Sequence, residues 1–511
     1  MKYNHGVISC GHEVTADAAV QVLENGGNAF DAIVAAHFAA CVAEPVLASL
    51  GGGGFLLAQT VGGNTQVYDF FAQTPLYPRS TKDIEFFPIH ADFGTTRQEF
   101  HIGAGSVAVP GAVKGMYAIH KELCTMPMKD LLSPAIEAAR CGVIVNPFQS
   151  YLLDVVKPIY QYTSEARGVF SSKTVSGKLL QPEEKLQQLD LANTFEVLAR
   201  EGEDLFYRGE IAQQIIAFSH EWGGQIDAAD LQQYQAKERA PIKISYRGNQ
   251  IYTNPTPSSG GVLIALALKL LEDSDISNYP RSGAKMLKLL TEVMSHCNLA
   301  RTDQSHDVAG LLDPDLVAEY RAKVANKLPC HRGTTHMTVM DAKGNVASLT
   351  VSNGEGCGRF LGDTGVMLNN MLGEEDLNPQ GYDKWPQGER LSSMMAPTLV
   401  VKENGEHIAL GSGGSNRIRS AIFQTLVNLL DFDMSLSEAL LFPRLHYERD
   451  MLSIENGFDS SELRAVRDRY PQHQIWPDRN MFFGGVHAAS CRDQLLTGAA
   501  DPRRGGVTVT V

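Results

Sequence analysis

The sequence predicts a mixed α/β fold, a four-layer αββα sandwich in which two sheets pack face to face and helices cover both outer faces. Three observations carry that expectation. The N-terminal stretch reads as two consecutive helices, the second apolar on every side. Residues from about 110 to 330 read as mostly helical. After Gly333 the pattern changes to short strands and tight turns, with one further helix and a closing strand. Helices, then strands, then a helix among strands imply layers, because each sheet face and helical stripe must bury against a neighbour.

Taken in order, the first helix is expected to start at Thr15, a cap candidate, and to end at Asn25-Gly26-Gly27, which tolerate positive φ. Asn28 is placed to cap the second helix, about 29–43, with Asp31 where a carboxylate favours a helix start. Small apolar residues on all its faces, Cys41 among them, mark a helix packed closely on a sheet, and Glu44-Pro45 end it. Gly51-Gly52-Gly53-Gly54 then lead into Phe55-Leu56-Leu57-Ala58, a buried-strand signature. This glycine run opens no helix and lacks a following Lys-Ser/Thr, so it reads as close backbone packing and not as a phosphate loop.

Further helices are expected near 112–123, 130–140, 184–201, 208–222 and 283–298. A strand pair around 246–252 and the turn-rich Pro255-Thr256-Pro257-Ser258-Ser259-Gly260-Gly261 interrupt them. Beyond Gly333, strands at 335–340 and 346–351 flank a hairpin-type connection. Strands follow near 397–402 and 407–411. Gly411-Ser412-Gly413-Gly414-Ser415 precedes a helix at 418–430, and 505–511 reads as a last strand.

Composition excludes several function classes. The 511 residues are 43% hydrophobic and 20% charged, with a formal net charge of −14. The basic residues are scattered, so no groove for nucleic acid is expected. Eight cysteines show no CxxC pair, and His5, His12, His37 and His101 have no paired spacing, so no metal or other cofactor is expected. The N-terminus lacks an apolar core and no 18-residue apolar run occurs; the expectation is a cytoplasmic protein without a membrane span. No linker-like segment divides the chain, which favours one continuous domain.

Cys330-His331-Arg332-Gly333-Thr334-Thr335-His336 sets threonine at a strand start with no acid–base dyad beside it. A threonine hydroxyl needs a base within reach, and its own α-amine serves if the chain is cut just before it.

These blocks resemble the gamma-glutamyltranspeptidases, or glutathione hydrolases, of the N-terminal-nucleophile hydrolase superfamily. The similarity runs from Gly26-Gly27-Asn28-Ala29-Phe30-Asp31-Ala32 through Val109-Pro110-Gly111, Pro257–Gly261 and Thr334-Thr335-His336. It continues through Leu368-Asn369-Asn370, Leu391-Ser392-Ser393-Met394, Gly411–Gly414 and Asp501-Pro502-Arg503. The resemblance implies self-cleavage between Gly333 and Thr334. It implies a large subunit, 1–333, and a small one, 334–511, sharing one αββα domain. Glycine before the threonine suits the strained geometry of such an attack.

Residue by residue, the resemblance implies Thr334 as nucleophile, Ser352 as its hydroxyl partner, and an oxyanion hole at Gly414 and Ser415. It implies that Asn353, Glu374, Ser392 and Ser393 bind the donor's amino-acid end. The implied activity moves a γ-glutamyl group from a glutathione-like donor to water or to an amino acid or peptide. Phe71 stands where the family has a carboxylate-clamping arginine, so another cation such as Arg359 takes its place or the donor differs. A related acylase for a β-lactam acyl amide or a γ-linked polyglutamate is one alternative, and a non-catalytic metabolite-binding homologue another. His336 is expected to be structural, Glu374-Glu375-Asp376 by itself reads as a solvated turn, and the stretch 378–388 reads as a mobile loop able to close over the site.

Overall fold

The computed structural model describes residues 5–92, 97–276, 278–302, 308–313, 333–378 and 381–511. Cys330, His331, Arg332, Pro379 and Gln380 lie outside the described residues.

Thirteen strands build the two central sheets. In chain order they are β1 Gly6–Cys10, β2 Gly53–Gln59, β3 Thr65–Phe70, β4 Lys237–Arg239, β5 Ile242–Tyr246 and β6 Asn249–Thr253. Then come β7 Thr335–Asp341, β8 Val346–Ser352, β9 Thr398–Val401, β10 His407–Gly413, β11 Gly485–Arg492, β12 Leu495–Ala500 and β13 Val507–Thr510. The first sheet has seven strands in the order β13-β1-β7-β8-β2-β3-β4, and the second six in the order β12-β11-β10-β9-β6-β5. Every neighbouring pair in both is antiparallel.

The sheets face each other through β7 and β8 against β10 and β11. Alternation along the strands sorts the side chains. Phe55, Leu57 and Met340 enter the core shared with the second sheet, while Leu56, Ala58, Met337 and Val339 face helices. The outer face of the first sheet carries α1 Glu13–Glu24, α2 Ala29–Ala43 and α3 Ala112–Leu123. The second sheet carries α4 Ser259–Glu272 and α6 Arg417–Leu430, with α5 Ala284–Thr302 packed on α4. The four expected layers are present.

Local chemistry explains most boundaries. Asn28 and Asp31 form a reciprocal capping box, and every residue of α2 is buried. Its alanines let it lie close against β7 and β8. The four-glycine run packs backbone on backbone: a Cβ at Gly52 would stand 2.3 Å from the Ser352 carbonyl oxygen, and one at Gly54 2.4 Å from that of Thr350.

Three expectations need correction. His12, not Thr15, caps α1, its Nδ1 accepting from the Val14 N–H at 3.1 Å. The Thr15 hydroxyl instead donates to Glu44 at 2.9 Å. The helix expected from 184 begins at Leu189, because Lys185-Leu186 pair with Val143-Ile144. Strands β1, β3, β4, β11 and β12 are additions to the predicted set.

Candidate active site

Thr334 directly precedes β7 and is 4% exposed. The β7–β8 register pairs Thr335 with Val351, which sets Thr334 across from Ser352 at the end of β8. Period-two alternation turns Thr335 towards the helices and His336 between the sheets.

The Gly333 carbonyl is held from two sides. Its oxygen accepts from the Thr334 hydroxyl at 2.8 Å and from the Ser352 hydroxyl at 2.7 Å. The Ser352 oxygen in turn accepts from the Gly354 N–H at 3.0 Å. A Cβ on Gly333 would lie 2.9 Å from the Gly354 carbonyl oxygen, so glycine is what fits there.

The second sheet supplies the facing wall. A Cβ on Gly413 would stand 2.0 Å from the Thr334 carbonyl oxygen, so the end of β10 approaches the Thr334 backbone closely. Gly414 and Ser415 follow with φ of 122° and 53°, and α6 begins two residues later. Ser415, left-handed although it carries a side chain, donates its hydroxyl to Asp376 Oδ2 at 3.0 Å. Turning the chain this way puts the amino end of a helix, where N–H groups and the helix dipole favour negative charge, beside Thr334.

The Ser392-Ser393 loop is braced from below. The Ser258 hydroxyl donates to the carbonyls of Ser393 and Met395, at 2.9 and 2.8 Å, and the Ser259 N–H to that of Ser393 at 2.8 Å. Gly260 must be glycine, since a Cβ there would sit 2.1 Å from the Met394 carbonyl oxygen.

One cavity gathers these parts. Its lining includes Thr334, Ser352, Glu374, Ser392, Ser393 and Ser415, all expected from the sequence. Phe71 also lines it, stacked on Phe55 with ring centroids 5.5 Å apart. Asn353 and Gly414 do not line it: the Asn353 Nδ2 points to the Met367 carbonyl at 3.5 Å, and Gly414 lies against Gly484 and Arg504.

Sequence reasoning missed Ser259, Asp376, Leu377, Met394, Met395 and Ile418 as lining residues. The acidic turn, which by itself reads as solvated, directs two of its three carboxylates inward, Glu374 at 2% and Asp376 at 9% exposure, while Glu375 stays exposed. Asn378 causes this by donating to the carbonyls of Met371, Leu372 and Glu374. The described part of the 378–388 stretch is tied down by the Thr81 hydroxyl on Asp383 at 2.7 Å and the Gly388 N–H on the Pro75 carbonyl at 3.0 Å.

Behind the site, His336 is fully buried between the hydroxyls of Thr350 and Thr338, both at 2.8 Å, and burial holds its pKa well below the ordinary value. That fits a structural role. The Thr335 hydroxyl donates to Glu44 at 2.8 Å, and Arg504 Nη1 to the Thr334 carbonyl at 3.1 Å.

The profile of the gamma-glutamyltranspeptidase family matches residues 15–511. The chain belongs to the gamma-glutamyltranspeptidase family. Among its relatives is the acylase ACY 1 proenzyme of Pseudomonas sp. (strain V22), 33% identical over 99% of this chain and 94% of that one. The glutathione hydrolase proenzyme of Escherichia coli (strain K12) is 31% identical over 98% of this chain and 91% of its own. Among solved structures, a cephalosporin acylase from Bacillus halodurans superposes with a TM-score of 0.86 at 25% identity, covering 99% of this chain and 96% of the other. These gamma-glutamyltranspeptidase relatives carry two kinds of name, for glutathione hydrolysis and for acylase activity. Membership sets an enzyme class of hydrolases and transferases, and leaves the acyl group to be read from the cavity.

For a member of this family the surroundings of Phe71 are informative. Arg359 does not replace the absent clamp: its guanidinium is paired with Glu85 at 2.6 Å and lies 3.8 Å from the Trp222 ring centroid, in a separate groove. Arg390, next to the serine loop, is spent on Asp69 and the carbonyls of Phe71 and Gln235. No cation lines the Thr334 cavity among the described residues.

Proposed function

We propose that this chain is a self-cutting acyl-transfer enzyme with Thr334 as its nucleophile. The observation that carries the reading is the Gly333 carbonyl, held between the hydroxyls of Thr334 and Ser352. The Thr334 oxygen attacks the Gly333 carbonyl carbon, the C–N bond breaks, and the Thr334 nitrogen takes the proton the hydroxyl gives up. Water then hydrolyses the resulting ester, leaving a carboxylate on Gly333 and a free amine on Thr334. Ser352 donates to the oxygen on which negative charge builds.

The freed amine is then the base that activates the same hydroxyl towards an incoming amide. Ser415 and the amino end of α6 stand where N–H groups can receive the oxyanion. The donor C–N bond breaks, and the Thr334 amine hands the hydroxyl's proton to the leaving amine. The acyl-enzyme so formed passes its acyl group to water, regenerating the hydroxyl, or to the amine of an amino acid or peptide. The large and small subunits remain one sandwich.

For the donor, Glu374 and Asp376 suit an α-amine, and Ser392 and Ser393 offer hydroxyls to a carboxylate. This supports a γ-glutamyl amide such as glutathione. Phe71, with no cation in the described lining, supports a second reading, an acylase for a side chain that lacks a free α-carboxylate.

A denaturing gel with intact mass should show two fragments for wild type, the smaller beginning at Thr334, and one uncut chain for Thr334→Ala. An active wild type that stays a single chain overturns the reading. Comparing γ-glutamyl-p-nitroanilide with a glutaryl amide and an uncharged acyl amide separates the donors. Phe71→Arg should shift preference towards the γ-glutamyl substrate by about tenfold or more, the scale of a charge-assisted hydrogen bond.

A further inference from the structure

The carbonyl of Gly333 is held by Ser352, but its other peptide unit is held as well. The Gly333 N–H donates to Glu355 Oε1 at 2.7 Å, and Glu355 is 2% exposed. Ser352 and Glu355 lie on one turn, where Gly354 has φ of 63° and the Gly356 N–H bonds the Asn353 carbonyl at 3.2 Å. That turn is anchored from outside: Asn370 Oδ1 accepts from the Glu355 N–H at 2.9 Å, and Asn370 Nδ2 donates to the His101 carbonyl at 3.3 Å.

We propose that Glu355 is a positioning residue for the cut after Gly333, fixing the peptide upstream of the scissile bond while Ser352 fixes the carbonyl. The proposal rests on the Thr334 reading given above. Its logic is rotational. A glycine has two soft dihedrals and no side chain to restrain them. One hydroxyl on the carbonyl oxygen leaves the Gly333 unit able to swing about that contact, carrying the carbonyl carbon away from the Thr334 oxygen. A second hold on the N–H, from the same turn, removes that freedom. The role of Asn369-Asn370 in this chain then becomes concrete: Asn370 sets the height of the turn that presents both holds.

Glu355 needs to be an acceptor of the right length; the cut itself consumes no proton at its carboxylate. The glutamine amide oxygen keeps that acceptor, alanine removes it, and aspartate falls one methylene short. The test follows the appearance of the two fragments with time in freshly translated chain, on denaturing gels. Glu355→Ala and Glu355→Asp should slow the cut by about 10- to 100-fold, the scale of a misplaced reacting group. Glu355→Gln should cut within about threefold of wild type, since a neutral acceptor gives up only part of one hydrogen bond.

Circular-dichroism melts check that each variant is folded. Should Glu355→Ala not fold, the Asp and Gln pair decides the matter. A folded Glu355→Ala or Glu355→Asp that cuts at the wild-type rate overturns the proposal, as does Glu355→Gln cutting as slowly as Glu355→Asp. If wild type itself is not cut after Gly333, the Thr334 reading falls first.

Discussion

Glu44 and Asp501 are both buried carboxylates, both act on the charge of Arg504, and they are treated in opposite ways. Asp501 is surrounded by cations: Arg444 Nη2 at 2.7 Å, Arg503 Nη1 at 3.1 Å, and the N–H groups of Arg503 and Val486 at 3.0 and 3.1 Å. Burial would raise its pKa, yet Arg444, Arg503 and those N–H groups hold it below the ordinary value. Glu44 has hydroxyls instead, Thr15 on one oxygen and Thr335 on the other. Burial wins there, and its pKa is pushed up to about 7 despite those hydroxyls and Arg504. The cluster around Asp501 is therefore an ionic scaffold locked in one state, whereas the helix side of Thr335 rests on a carboxyl that changes charge near neutrality.

The contrast is broken most severely at Asp501. Asp501→Ala leaves buried arginines facing one another, and denaturant unfolding should show a loss of about 3–5 kcal/mol. A loss below about 1 kcal/mol would mean that the arginines find other partners.

Next in size is Glu44→Gln. The folded pKa of about 7 lies above the ordinary 4.5, so the folded chain holds the extra proton between those values. Stability from this group is thus greatest in acid and falls as pH rises through that window. Glutamine removes the dependence, and the variant's stability relative to wild type should rise by about 3 kcal/mol from acid to mildly alkaline pH. Parallel unfolding curves at several pH values measure it, and a constant difference across that range would show that Glu44 does not titrate there.

The smallest change is Thr335→Val, which deletes one donor to Glu44 with little change of shape. It should cost about 2 kcal/mol where the carboxylate is charged and about 1 kcal/mol where it is neutral, read from the same unfolding series.

How much of this the sequence discloses depends on whether the signal is local. The Asn28–Asp31 box and the apolar α2 are visible because cap and burial pattern lie within one segment. The β7–β8 hairpin is visible for the same reason. Strand β1 is not, because Gly6–Cys10 is short and wholly buried, so it shows no alternation. Strand β11 reads Gly-Val-His-Ala-Ala-Ser-Cys-Arg, with few residues of strong β preference, and its pairing with β10 fixes its conformation. Thr15 misleads since its hydroxyl serves Glu44, 29 residues on, instead of its own helix.

The candidate site divides along the same line. Thr334, Ser352, Glu374, the serine pair and Ser415 meet in one cavity as the motif blocks imply. Asp376 escapes because its burial depends on Asn378 folding the turn back on itself. The fate of Arg359 depends on Glu85, 274 residues earlier, and no spacing rule announces that partner.

The place of β1, with β7 on one side and β13 on the other, has a last consequence. A break after Gly333 would assign the middle of these three neighbouring strands to one fragment and its two flanks to the other. Separating the pieces would then mean tearing this sheet along three seams, β13–β1, β1–β7 and β8–β2, and the second sheet along β9–β6, so cutting would release nothing. Denaturation afterwards is another matter: the uncut chain reassembles at a rate independent of dilution, whereas the severed pair must find each other again and its recovery depends on concentration.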